Sequence, residues 1–210
     1  MYKIKINRLG DDFTKGNKKE VNICSPNCNE KFYKILKNEI KTVKKDYDKI
    51  YVACIGTDRC TGDSLGPLVG YKLGGIKEEL HKKGIEIVGN LENPLHAKRL
   101  EKFKTDENTL VIAIDASLGK IEKMGRICIK QGPIYPGTGL NKKISPIGDI
   151  SITGVVNVCG KNEDYSYILL QNTRLSLVMD MADIIATGLK NILEEIILSD
   201  CSDCCEELIS

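Results

Sequence analysis

The chain has 210 residues, 41% of them hydrophobic and 29% charged, with 31 Lys and Arg against 29 Asp and Glu for a net charge of +2. That is enough chain for one sizeable core, and the charge balance is too even to argue for a nucleic-acid or membrane surface. No run approaches the roughly 20 apolar residues of a membrane span, and the first residues lack the apolar region of a signal peptide, so a cytoplasmic protein is expected.

Residues 1 to 26 are polar and broken by Gly and Asn, and read as a loosely held arm. Asn29 to Lys45 is expected to be helical, with Phe32, Ile35, Leu36, Ile40 and Val43 near a 3.6-residue period. Its lysines suit the solvated side of a helix, with a partner-binding patch as the other reading. Ile50 to Ile55 reads as a buried strand bounded by Gly56, and Ser64 to Leu73 as a helix with Ser64 as its N-cap. Ile85 to Val88 is a second strand, and Pro94 opens a helix running through Phe103. Leu110 to Ile114 is a third strand that ends in Asp115, Arg126 to Lys130 an edge strand, and Ile150 to Val156 a further strand. Asp164 to Leu198 is helical, with a break near Asn172.

Strands alternating with helices imply right-handed crossovers and a mostly parallel sheet covered on both faces, a three-layer α/β sandwich. The expected division is an N-terminal arm and helix over residues 1–48, an α/β domain over 49–198 and a cysteine-rich acidic tail over 199–210. Of the nine cysteines, Cys54 and Cys128 fall in apolar strands and read as reduced core residues. Cys24, Cys28, Cys201, Cys204 and Cys205 are spaced so that a zinc site is conceivable if the termini meet; a disulfide or incidental thiols are the plainer readings.

Ligands of such sheets bind outside the carboxyl ends of the strands. The loop after the first strand carries Asp58 and Asp63, Asp115 ends the third strand, and the glycine-rich segment Gly132 to Gly139 could fold over the same edge. Gly62-Asp63-Ser64-Leu65-Gly66 matches serine-hydrolase strings, but both histidines, His81 and His96, precede Asp115. The order Ser, Asp, His cannot be written on this chain, and Ser64 lies well past the strand rather than on a tight elbow. Gly56, Gly62 and Gly66 lack the dinucleotide spacing, and no Walker lysine follows. What remains is the pair Asp63 and Asp115. Neighbouring carboxylates cannot both stay ionised cheaply, so one pKa rises and acid and base roles separate. Such a pair could activate water against a peptide carbonyl, or ligate a divalent metal.

Three segments carry a family resemblance. Cys54-Ile55-Gly56-Thr57-Asp58-Arg59-Cys60-Thr61-Gly62-Asp63-Ser64-Leu65-Gly66-Pro67 resembles the first active-site segment of the spore germination protease. Ala113-Ile114-Asp115-Ala116 resembles its second, and Pro136-Gly137-Thr138-Gly139-Leu140-Asn141-Lys142-Lys143 its proline-glycine loop. Across residues 48–198 the chain is identified as a member of the YyaC family of sporulation proteins, small peptidase-like relatives of that enzyme. The resemblance implies an endopeptidase whose catalytic residues are Asp63 and Asp115. Arg59, Thr61, His96, Asn141 and Lys142 would be the substrate-binding support. It implies a protein or peptide partner, small acid-soluble spore proteins among them, in the forespore or mother cell, and leaves a homo-oligomer open.

Hydrogenase maturation endopeptidases, which share that αβα (phosphorylase/hydrolase-like) fold, are similar in the first glycine-rich loop. The histidine with which they grip a metal has no counterpart in Gly137 to Lys143, and His96 lies in a different loop. The resemblance therefore favours the metal-free aspartate version, with no cofactor. Two alternatives stand beside it: a protease-fold protein that binds a spore protein or peptide without cutting it, and a metal-dependent hydrolase using both aspartates and His96.

Overall fold

The computed structural model describes residues 19–135 and 145–206, with side chains of the last helix described as far as residue 198. A six-stranded mixed sheet runs in the order β1 (Lys19–Asn22), β5 (Arg126–Gln131), β6 (Ile150–Val158), β4 (Thr109–Gly119), β2 (Lys49–Cys54), β3 (Ile85–Val88). Strands β3, β2, β4 and β6 are mutually parallel, and β5 is antiparallel to both β6 and β1. Among the described residues, six α-helices connect and flank them: α1 (Cys28–Lys41), α2 (Leu65–Lys72), α3 (Lys77–His81), α4 (Ala97–Leu100), α5 (Glu163–Gln171) and α6 (Leu175–Glu206). No helix among the described residues is long and apolar enough to cross a membrane.

The two faces of the sheet are covered unequally. The larger core collects alternate strand residues, such as Val52, Cys54, Ile112, Ile114, Ile150 and Ile152, under helix residues including Phe32, Leu36, Leu65, Met181 and Leu189. A smaller cluster on the other face joins Ala53, Ile55, Val111 and Ala113 to Leu95 and Leu100. Alternation in a strand sends successive side chains to opposite faces, so Asp115, following Val111 and Ala113 at intervals of two, points into this thinly covered face.

Several expected elements are corrected. The arm is not loose throughout, because Lys19–Asn22 pairs with Ile129 to Arg126 as an added strand. This makes β5 an interior strand rather than the edge. The helix expected from Pro94 to Phe103 is a single turn over Ala97–Leu100. The largest change is in β4, which continues past Ile114 to Gly119 because β6 pairs with it along that length. Asp115 therefore sits inside a strand and does not begin a loop. The break near Asn172 is present, and α5 is capped at its start by the Asn162 side chain accepting from the Tyr165 N–H at 2.8 Å.

Helix α2 packs against the end of β2 so closely that a Cβ at Gly66 would lie 2.1 Å from the Ile55 carbonyl oxygen. An added methyl there must push backbone against backbone. Gly66→Ala is expected to destabilise the fold by about 1–3 kcal/mol, read as a lowered thermal midpoint, and an unchanged midpoint contradicts the packing described.

Candidate active site

The sheet has a switch point between β2 and β4. The chain leaves β2 for β3 on one side, then crosses back to place β4 on the other, and in sheets of this kind the loops that diverge at such a point leave a crevice outside the carboxyl ends of the strands. Strand β2 ends at Cys54, and Ile55 still donates its N–H to the Ile114 carbonyl at 2.8 Å. The next residue, Gly56, turns away: its N–H goes to the Leu95 carbonyl at 3.3 Å, on the β3 side. Gly56 has φ of +135°, and a Cβ would lie 2.0 Å from the Asp63 carbonyl oxygen, so only glycine fits the turn. The same oxygen accepts from the Thr57 N–H at 3.1 Å, which closes the loop 57–63 on itself. Asp63 is thereby returned to the end of the strand it followed, on a short 3-10 turn over Gly62–Ser64.

Asp63 and Asp115 are brought within electrostatic reach of each other. Both are half-buried, with some surface still open to solvent. Even so, enough protein surrounds each carboxylate that lost hydration is the strongest influence on it. Desolvation pushes Asp63 up to about 7, against the pull of the Thr57 N–H. Asp115 is raised well above the ordinary carboxylate range, first by desolvation and then by the Asp63 charge. The Ala116 N–H, which donates to Asp115 Oδ1 at 2.8 Å, offsets only part of this. Both shifts favour the protonated form, so the pair holds a proton to higher pH than ordinary carboxylates do, which gives it a potential acid and a potential base side by side.

The residues expected around the pair fare differently. Arg59 is exposed on the loop, and its N–H reaches Thr57 Oγ1 at 3.4 Å. Thr61 is half-buried and its carbonyl oxygen receives both the N–H and the hydroxyl of Ser64, at 3.3 and 2.6 Å. That bond corrects the expected role of Ser64: a hydroxyl turned back to Thr61 caps no helix N–H. His96 is half-buried at the start of α4, immediately after the Leu95 that pairs with Ile55, so its backbone borders the crevice. Asn141 and Lys142 lie outside the described residues, as does the second half of the segment Gly132 to Gly139. So do the side chains of Cys201, Cys204 and Cys205, while Cys24 and Cys28 are free thiols. No three His, Cys, Asp or Glu side chains converge as a metal site among the described residues, so Asp63, Asp115 and His96 do not form one.

Two neighbours of the pair were not anticipated. Cys60 is 3% exposed, and burial pushes its thiol up against the pull of the Asp63 N–H, which keeps it neutral. Its place in the loop sequence was visible, but nothing in the string indicated that it would be buried. Thr153, on β6, is the register partner of Asp115. Its strand was legible; the strand's place beside β4 was not.

The model of the family described as "Protein of unknown function (DUF1256)" matches residues 20–188, and the chain belongs to that family. Among curated proteins it is similar to "Uncharacterized protein YyaC" of Bacillus subtilis (strain 168), with 46% identity over 145 residues, 67% of each chain.

The raised carboxylates have a consequence for stability. Their folded-state pKa values lie above the unfolded ones, so the folded chain holds protons that the unfolded chain releases as pH rises from about 4 to 7. Stability contributed by the pair is thus present at low pH and lost towards neutrality. Asp115→Asn removes the need to bury charge and is expected to raise the thermal midpoint at pH 8 by a few degrees, about 2–4 °C per kcal/mol released, with little change at pH 4. A larger gain at pH 4 than at pH 8, seen by calorimetry, contradicts the ionisation assigned to the pair.

Proposed function

We propose that this DUF1256 protein is a sporulation-associated endopeptidase in which Asp63 and Asp115 activate water for peptide-bond hydrolysis. The observation that carries the reading is the pair itself: two carboxylates within electrostatic reach at the switch-point crevice, both raised, one to about 7. A shared proton is what a water-activating dyad needs, since one group must be ionised while the other is not. The three segments that resemble the spore germination protease support the same assignment, with its hydrogenase-maturation-like fold, and the similarity to YyaC is consistent with it.

In this reading Asp63, raised to about 7, is the base. It takes a proton from water as the oxygen adds to the peptide carbonyl carbon, while protonated Asp115 gives its proton to the carbonyl oxygen. On collapse, the C–N bond breaks, the leaving nitrogen takes the proton held by Asp63, and Asp115 recovers its own. No metal is used in these steps, and Arg59, Thr61 and His96 at the crevice margin contact the substrate backbone. The substrate is a protein segment able to enter the crevice extended, and small acid-soluble spore proteins are the first candidates.

Mass spectrometry of small acid-soluble spore proteins incubated with the enzyme tests this. Wild type is expected to cut at defined bonds, and Asp63→Asn and Asp115→Asn each to lose at least about 10³-fold in rate, as removal of a catalytic acid or base does. Activity should fall on the acid side as Asp63 becomes protonated near pH 7. Intact substrate with wild type at every pH, together with stable binding of that substrate, would move the protein to the alternative of a protease-fold binding protein.

A further inference from the structure

Beside the aspartate pair stands Thr153, whose hydroxyl makes no hydrogen bond with the described residues. Asp115 and Thr153 are Cα partners on the parallel strands β4 and β6, and neighbouring strands lie about 4.7–4.9 Å apart. Both side chains point to the same face. On β4, Ile112 and Ile114 enter the helix-covered core, which turns Asp115 the other way. On β6, Ile150 and Ile152 do the same, and a Cβ on Gly154 would strike the Leu65 side chain of that core at 2.4 Å. Thr153, between them, is directed to the thinly covered side with Asp115.

Ser151, two residues earlier on the same face, shows what a spent hydroxyl looks like here. It is 1% exposed, and its Oγ donates to the Lys130 carbonyl at 3.5 Å. Thr153 is half-buried, and its hydroxyl makes no hydrogen bond with the described residues. A valine would satisfy the strand and pack equally well, so the fold itself does not call for the hydroxyl. One oxygen of Asp115 is already held by the Ala116 N–H at 2.8 Å. The hydroxyl is a donor beside the rest of that carboxyl group.

We propose that Thr153 is the third polar member of the site, its Oγ1–H donating to the water or substrate carbonyl held at the aspartate pair. The carbonyl contact rests on the peptidase reading; the water contact does not. In the unliganded protein a water so held bridges Thr153 to Asp115 and favours the ionised carboxylate. With substrate present, the same hydroxyl stabilises the oxygen on which charge develops.

Wild type, Thr153→Val and Thr153→Ser are compared in two assays. The first follows the aspartate carboxyl carbons through a pH titration by NMR, assigned with Asp115→Asn, and needs no substrate. Thr153→Val is expected to raise the pH at which Asp115 titrates by about half a unit or more, and Thr153→Ser to leave it near wild type. The second follows cleavage of small acid-soluble spore proteins. There Thr153→Val is expected to lose on the order of 10²-fold in kcat with little change in KM, and Thr153→Ser to retain most of the rate. An unchanged titration in Thr153→Val, or equal shifts in both variants, overturns the assignment. Where wild type cuts nothing, the hydrolysis reading falls by itself and the titration alone decides about Thr153.

Discussion

The parallel pairing of β2 with β4 is the constraint on which the rest of this molecule depends. It aligns Cys54 with Ile114, so that Ile55 and Asp115 come next on neighbouring strands. It also defines the switch point, because β3 takes the opposite side of β2 and the chain must diverge above the strand ends. The glycines of the first loop then acquire a common reason. Gly56 makes the turn that brings Asp63 back over the strand end, and Gly66 lets α2 lie against Ile55. Neither marks a phosphate-binding loop; both allow close approach of backbone, and that approach is what sets one carboxylate beside the other.

Holding two carboxylates in a partly desolvated crevice opposes stability, and the surrounding core has to offset it. Apolar residues from α1, α2 and α6 fill the helix side of the sheet, from Phe32 and Leu36 through Leu65 to Met181 and Leu189. Among the described residues, the other side carries only the smaller cluster, which includes Ala113 and Leu95. A heavily packed face and a lightly packed one are thus joined through a single strand, β4. The division suits a site: the rigid side fixes positions, and the thin side leaves the carboxylates partly open to solvent and to a ligand.

Much of this could be read in advance, for physical reasons that differ from residue to residue. Strands such as Ile50 to Ile55 and Ile150 to Val156 announce themselves by β-branched apolar runs, and the Asn172 break by the loss of helical periodicity. Asp115 stands out because a charged residue directly after such a run has no place in a core, and Asp63 because it lies in the glycine-bounded loop that follows the first strand. Elements whose existence depends on a distant partner were harder. Lys19–Asn22 has no pattern of its own and becomes a strand only because β5 offers an edge. Asp115 looked like a strand terminus because polarity rises there, yet β6 continues the ladder to Gly119. Ser64 has a capping residue's identity but spends its hydroxyl on Thr61, since a 3-10 turn precedes the helix. Thr153 was invisible as a site residue for the same reason as the β4 extension: strand order is not written locally.

The central claim is that Asp63 and Asp115 feel each other's charge and share a proton near neutral pH. The direct measurement is a carboxyl-carbon NMR titration of the wild type against Asp63→Asn. With the Asp63 charge removed, Asp115 should titrate at a lower pH than in the wild type, yet still above the ordinary carboxylate range, because desolvation persists. If Asp115 titrates at the same pH in both proteins, the two carboxylates are not a pair, and the account of the site built on them is wrong.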